Sequence, residues 1–156
     1  MTGRGSRDER GQVGGIEAVA FGMLVIVVGV LIISNAWGLI DAKTAASEAA
    51  REAARTFATA PATSDAQADA LARQAAMDTL NELGWTRAGI SVQRTAGVFI
   101  RCALVTYQVT IPVPVFRLPW LRSDVSVFRA TASHSEQVDP YRSGVPGSGA
   151  ADCAGP

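Results

Sequence analysis

Ser133, His134 and Ser135 stand in a row, and these are residue types that nucleophilic catalysis uses. A serine attacks only when an imidazole within hydrogen-bond reach takes its proton. The surrounding segment alternates in polarity, so neighbours along a strand face opposite ways, and His134 turns away from both serines. His134 is the only histidine, and no G-x-S-x-G, H-E-x-x-H or phosphate-loop pattern occurs. The glycine-rich stretch 144–149 (GVPGSG) is framed by neither a strand nor a helix and reads as tail, not as a phosphate cradle. The two cysteines, Cys102 and Cys153, fit one disulfide in an oxidising compartment, and equally two separate thiols. With one histidine beside them, they make no metal set. The chemistry-bearing residues therefore predict a non-enzyme with no cofactor, no metal and no small-molecule substrate.

One further residue carries chemistry of another kind. Glu17 stands directly before an uncharged apolar run, Ala18 to Ile40, and Asp41 follows it. At about 1.5 Å per residue a helix of that length reaches roughly 35 Å, enough to cross a hydrocarbon core of about 30 Å. A carboxylate at that depth is costly unless paired, neutralised or kept at the interface. Glu17 either marks the membrane boundary or is paired when copies of the helix associate. Gly22, Gly29, Ser34 and Gly38 would allow helices to approach closely, and Ser34 and Gly38 have small-xxx-small spacing. A competing reading takes the run as a signal peptide cut near Ser34-Asn35-Ala36, although the run is long for that purpose and the helical pattern continues beyond it.

The balance of charge limits the partners. Lys and Arg number 14, Asp and Glu also 14, so no basic excess argues for nucleic acid. Arg4, Arg7 and Arg10 precede the run and Lys43, Arg51 and Arg55 follow it, so positive charge hardly orients the span. The short polar head is easier to leave in the cytoplasm than the long remainder, which favours a single-pass protein with its N-terminus inside and its domain outside.

Four segments must position these residues. Residues 1–15 form a polar, glycine-rich leader, 16–41 the transmembrane helix, 42–138 an extracytoplasmic domain and 139–156 a disordered tail. Within the domain, 42–83 is helical. An Ala-rich continuation of the first helix stops before Pro61, and a second helix opens on a capping box at Ser64–Gln67 and stops at Gly84. Its expected core face includes Leu71, Ala75, Leu80 and Leu83. Strands occupy 88–136: a short one at Ile90–Val92, a long one from Val98 to Ile111 ended by Pro112 and Pro114, and another from Asp124 to Glu136. Phe116 and Trp120 lie in the Pro-rich loop between the long strands. The fold class is α+β: a long N-terminal helix, a second helix, and a small antiparallel sheet of about three strands with a helix on one face.

The segment from Glu9-Arg10-Gly11 through the Ala-Arg-Glu-Ala-Ala-Arg at 50–55 resembles TadE-like proteins, pseudopilin-like minor components of tight-adherence (Tad/Flp) pilus systems. The strand ending in Ala130-Thr131-Ala132 resembles the family's C-terminal strand. The resemblance covers the layout of nearly the whole chain and is specific over residues 9–57. It implies a pilin-like fold, cleavage by a prepilin peptidase between Gly11 and Gln12, and a helix-top glutamate, Glu17. That family places the glutamate about five residues into the mature chain; counted from Gln12 as residue one, Glu17 is residue six, and cleavage at Gly14 or Gly15 would bring it nearer still. It also implies partners: the membrane, other pilins or pseudopilins, and a Tad-type assembly platform, with the protein at the membrane base or in a surface pilus. The alternative is a single-span anchored binding module unrelated to pili.

Overall fold

The computed structural model describes residues 10–114, 127–147 and 153. The elements in chain order are α1 (Arg10–Thr59), α2 (Asp65–Glu82), β1 (Ser91–Ala96), β2 (Leu104–Pro114) and β3 (Val127–Gln137). The architecture is the expected α+β one. The chain divides into two compact units, one ending at Trp37 and one beginning at Gly38.

The first unit holds the apolar part of α1. From Glu17 onward this helix is long and apolar enough to cross a membrane, with a mean hydropathy of 2.5 in its richest window and none of that window buried. Its large side chains stand bare, Val19 at 73%, Ile26 at 67% and Trp37 at 67% exposure. The helix begins at Arg10, so residues 10–15 of the expected polar leader are helical.

The second unit contains the core. The last part of α1 buries Ala42, Ala45, Ala46, Ala49, Ala50, Ala53, Ala54, Phe57 and Ala58, a stripe at three- and four-residue steps. Its alanines are strong helix formers and small enough for close approach to a neighbour. α2 presents Ala68, Ala72, Ala76 and Leu80 to the same core. This corrects the expected face in part: Leu80 is buried as expected, but Leu71 is only packed at the core's margin, Ala75 is half-buried and Leu83 is exposed. Small side chains take most of the inward positions on the two helices, with Phe57 and Leu80 as the large ones.

α2 is closed at both ends. The Ser64 hydroxyl accepts from Gln67 N at 3.3 Å, and the Gln67 side chain reaches back to Thr63 N at 3.2 Å. At the other end Trp85 N donates to Leu80 O at 2.7 Å and Gly84 N to Asn81 O at 3.0 Å. Gly84 takes φ +80°, the left-handed conformation that this pattern demands of the residue after the cap.

The sheet is antiparallel in the order β1-β2-β3. β2 buries Val105, Tyr107, Val109 and Ile111 and turns Thr106, Gln108 and Thr110 outward, as the alternation predicts. Strand boundaries differ from expectation: β1 runs Ser91–Ala96, past the expected end at Val92, and β2 differs at both ends. β2 starts at Leu104, because residues 98–103 form turns, and it runs through Pro112 and Pro114, which pair with Arg129 and Val127. β1 ends its pairing at Thr110, so beyond that point one side of β2 has no strand to bond among the described residues. The two prolines share parity and both nitrogens can face that open side. A bulge at Arg94–Ala96 turns the chain out of β1 into Gly97 (φ +89°). A Cβ at Gly97 would lie 2.5 Å from Leu104 O, so no side chain fits.

Residues 139–147 are not the expected disordered tail. Val138 and Val145 are buried, and Arg101 N donates to Pro146 O at 2.9 Å. Long-range anchors hold this turn, and Gly, Pro and Ser composition alone does not reveal them. Phe116, Trp120 and most of the Pro-rich loop lie outside the described residues.

Candidate functional site

Along α1 the expected processing and docking residues take these positions. Gly11 and Gln12 fall in the opening turn, where backbone N–H groups have no intrahelical partner. Glu17 and Ser34 are exposed. A Cβ built on Gly22, Gly29 or Gly38 meets nothing within 4 Å, so no neighbour among the described residues requires glycine at these three places. Asn35 donates to Leu31 O at 2.7 Å, which ties its amide to its own helix.

In the domain, sequence inspection missed a side-chain cluster that joins α2 to the sheet. The Arg94 guanidinium forms a two-pronged pair with Asp65, Nη1 to Oδ1 at 2.6 Å and Nη2 to Oδ2 at 2.5 Å, and Phe99 N donates to the same carboxylate at 2.8 Å. Asp69 accepts from the Tyr107 hydroxyl at 2.6 Å and from Arg73 Nε at 2.7 Å. Arg73 also donates to Val92 O at 2.6 Å. Arg94 lies 4.9 Å from the Phe57 ring centre, and that ring meets Phe99 edge-on at 5.4 Å.

The electrostatics of this cluster suit structure rather than catalysis. The Arg94 hydrogen bonds hold the Asp65 carboxyl below its ordinary range. Burial alone would raise Asp69, but the Tyr107 hydroxyl and the Arg73 guanidinium outweigh it and hold it low. Burial, then the Asp69 carboxylate, push the Tyr107 phenol far up. The Asp65 bonds strengthen the hold of Arg94 on its proton. Each group is fixed in the state it already has at neutral pH, so none is poised to exchange a proton. The separations in sequence, 29 residues between Arg94 and Asp65 and 38 between Tyr107 and Asp69, explain why no local pattern announces the cluster.

A second arginine fastens the turn at 139–147. Arg142 Nη1 donates to Ala58 O at 2.7 Å, a carbonyl in the last turn of α1 that the helix leaves free, and Nη2 to Ala60 O just beyond the helix, which also accepts from Ala62 N. Its own carbonyl accepts from Arg101 Nε at 3.0 Å. Cys102 and Cys153 are joined in a disulfide, Cα to Cα 5.0 Å, which ties the distal chain beside this turn.

The Ser133–Ser135 segment forms no nucleophile–base pair. Ser135 shares a 2.8 Å hydrogen bond with Thr106, while His134 stands on the opposite face, 3.6 Å from Glu136. Among the described residues no group of His, Cys, Asp and Glu could hold a metal ion. No family profile, curated protein or solved structure matches this chain.

Proposed function

We propose that this protein is a pseudopilin-like minor component or assembly factor of a Tad/Flp-type pilus, held in the membrane by α1. The observation that carries the reading is α1 itself: one continuous helix, bare and apolar after Glu17, whose later turns bury an alanine stripe in the core of a small α+β domain. A helix that exposes large apolar side chains needs lipid or other helices around it. In this reading the leader is removed between Gly11 and Gln12, and the freed α-amino group of a neighbouring copy neutralises Glu17 and fixes axial register. Gly22, Gly29, Ser34 and Gly38 let the neighbour approach. The domain lies outside the cytoplasm, where a Cys102–Cys153 disulfide persists.

The test is pilus assembly in the native host with Glu17→Ala. The expected result is loss of pili while the variant stays in the membrane at parental abundance. Parental pilus formation would overturn the role of Glu17, and a host that assembles no pili would favour an anchored binding module.

A further inference from the structure

We propose that the domain carries a binding site for the phosphate of an anionic phospholipid, in the cleft between α1 and the free edge of β3. The inference rests on the single-span reading of α1. The cleft measures about 490 Å³ and is lined by Leu39, Ile40, Lys43, Thr44 and the β3 stretch Arg129–Thr131. Three features converge on it.

The first is cationic charge against an apolar wall. Lys43, the only lysine of the chain, and Arg129 are both exposed, and neither has a carboxylate partner among the described residues. Leu39, Ile40 and Ala130 supply apolar surface beside them.

The second is unpaired backbone. Among the described residues β3 is an edge strand, bonded to β2 alone. The carbonyl of Thr131 faces away from β2, since it accepts from Lys43 Nζ. In an antiparallel strand the N–H and C=O of one residue point the same way, and alternate residues repeat the direction. The N–H groups of Thr131 and Arg129 therefore also face the free edge, where no strand takes them. Backbone donors next to cations are what a phosphate oxygen accepts from.

The third is depth. Leu39 and Ile40 are the last residues of the uncharged run, and Trp37, of a type enriched at bilayer interfaces, lies just before them. Lys43 follows within one turn, about 5 Å farther along the axis. A cleft lined by both the end of the run and that lysine stands at the level of lipid phosphates, which selects a lipid over a free anion.

The test uses the full chain in lipid nanodiscs made of equal parts phosphatidylglycerol and phosphatidylcholine, with retained lipids counted by native mass spectrometry. The parent is expected to retain phosphatidylglycerol preferentially. Arg129→Gln and Lys43→Gln should each lower that retention about fivefold, and Arg55→Gln, an exposed cation outside the cleft, should leave it unchanged. Arg129→Gln should also melt like the parent, which separates lost binding from lost fold. Parental retention in both cleft variants, or equal retention of the two lipids by the parent, would overturn the site. Displacement of the lipid by millimolar glycerol phosphate would show a free-phosphate site instead. A chain that enters the disc but retains phosphatidylglycerol equally well with and without Arg129 and Lys43 contradicts the cleft alone; a chain that does not enter the disc contradicts the span and the cleft together.

Discussion

At the scale of single residues, Arg94 and Tyr107 do most to join α2 to the sheet, and their ionisation predicts how stability follows pH. Asp65 and Asp69 have folded-state values below the ordinary 3.8, so their contribution is present above that value and is lost as pH falls through the folded ones. Tyr107 runs the other way: raised above 10.0, it contributes below that pH and the contribution is lost as pH rises beyond it. The melting temperature should hold steady from about pH 5 to pH 9 and fall on both sides. Asp69→Asn should flatten the acid limb and Tyr107→Phe the alkaline one. Unchanged limbs in thermal scans of both variants would contradict this assignment. None of it was legible beforehand, because charged residues in α2 and β1 look like solvated ones until the fold brings them together over Phe57.

At the scale of elements, the alanine stripe of α1 decides how closely helix and sheet approach. Ala50 is fully buried, so Ala50→Leu should overpack the contact and cost about 1–3 kcal/mol in chemical denaturation. Ser47→Ala, on the exposed side, should stay within about 0.5 kcal/mol of the parent. Similar losses in both would mean that the stripe is not a tight contact. Element types were readable from the sequence: the period of two in β2, the capping box at Ser64 and the stop at Gly84 are local signals. Two element-level expectations failed for non-local reasons. Leucines outrank alanines in hydrophobicity, yet Ala68, Ala72 and Ala76 share the buried α2 face with Leu80 alone, while Leu71 and Leu83 lie off it. Prolines at 112 and 114 break a strand with neighbours on both sides, but β1 had already ended its pairing there.

At the scale of the whole molecule, the turn at 139–147 is tied back to the end of the long helix. Arg142 donates to Ala58 O in the last turn of α1 and to Ala60 O just past it, Val145 is buried, and a disulfide joins Cys153 to Cys102. Cys102→Ser should cost about 2–4 kcal/mol of stability and speed amide exchange over 139–147. Exchange at the parental rate would show that Arg142 and Val145 hold the turn alone. Composition pointed to disorder here because the anchors lie far away in sequence, 84 residues separating Arg142 from Ala58. The candidate site was legible only in part: Glu17 and the apolar run stand out in the residues themselves, while the edge of β3 beside Lys43 exists only once the sheet has formed.

The central claim is that α1 is a processed, pilin-like anchor, and the intact mass of the protein extracted from membranes of its native host tests it most directly. The expected mass is that of a chain beginning at Gln12, with Glu17 near its new N-terminus. A chain that keeps its polar head, or one that begins near Trp37 after removal of the whole apolar run, would contradict it.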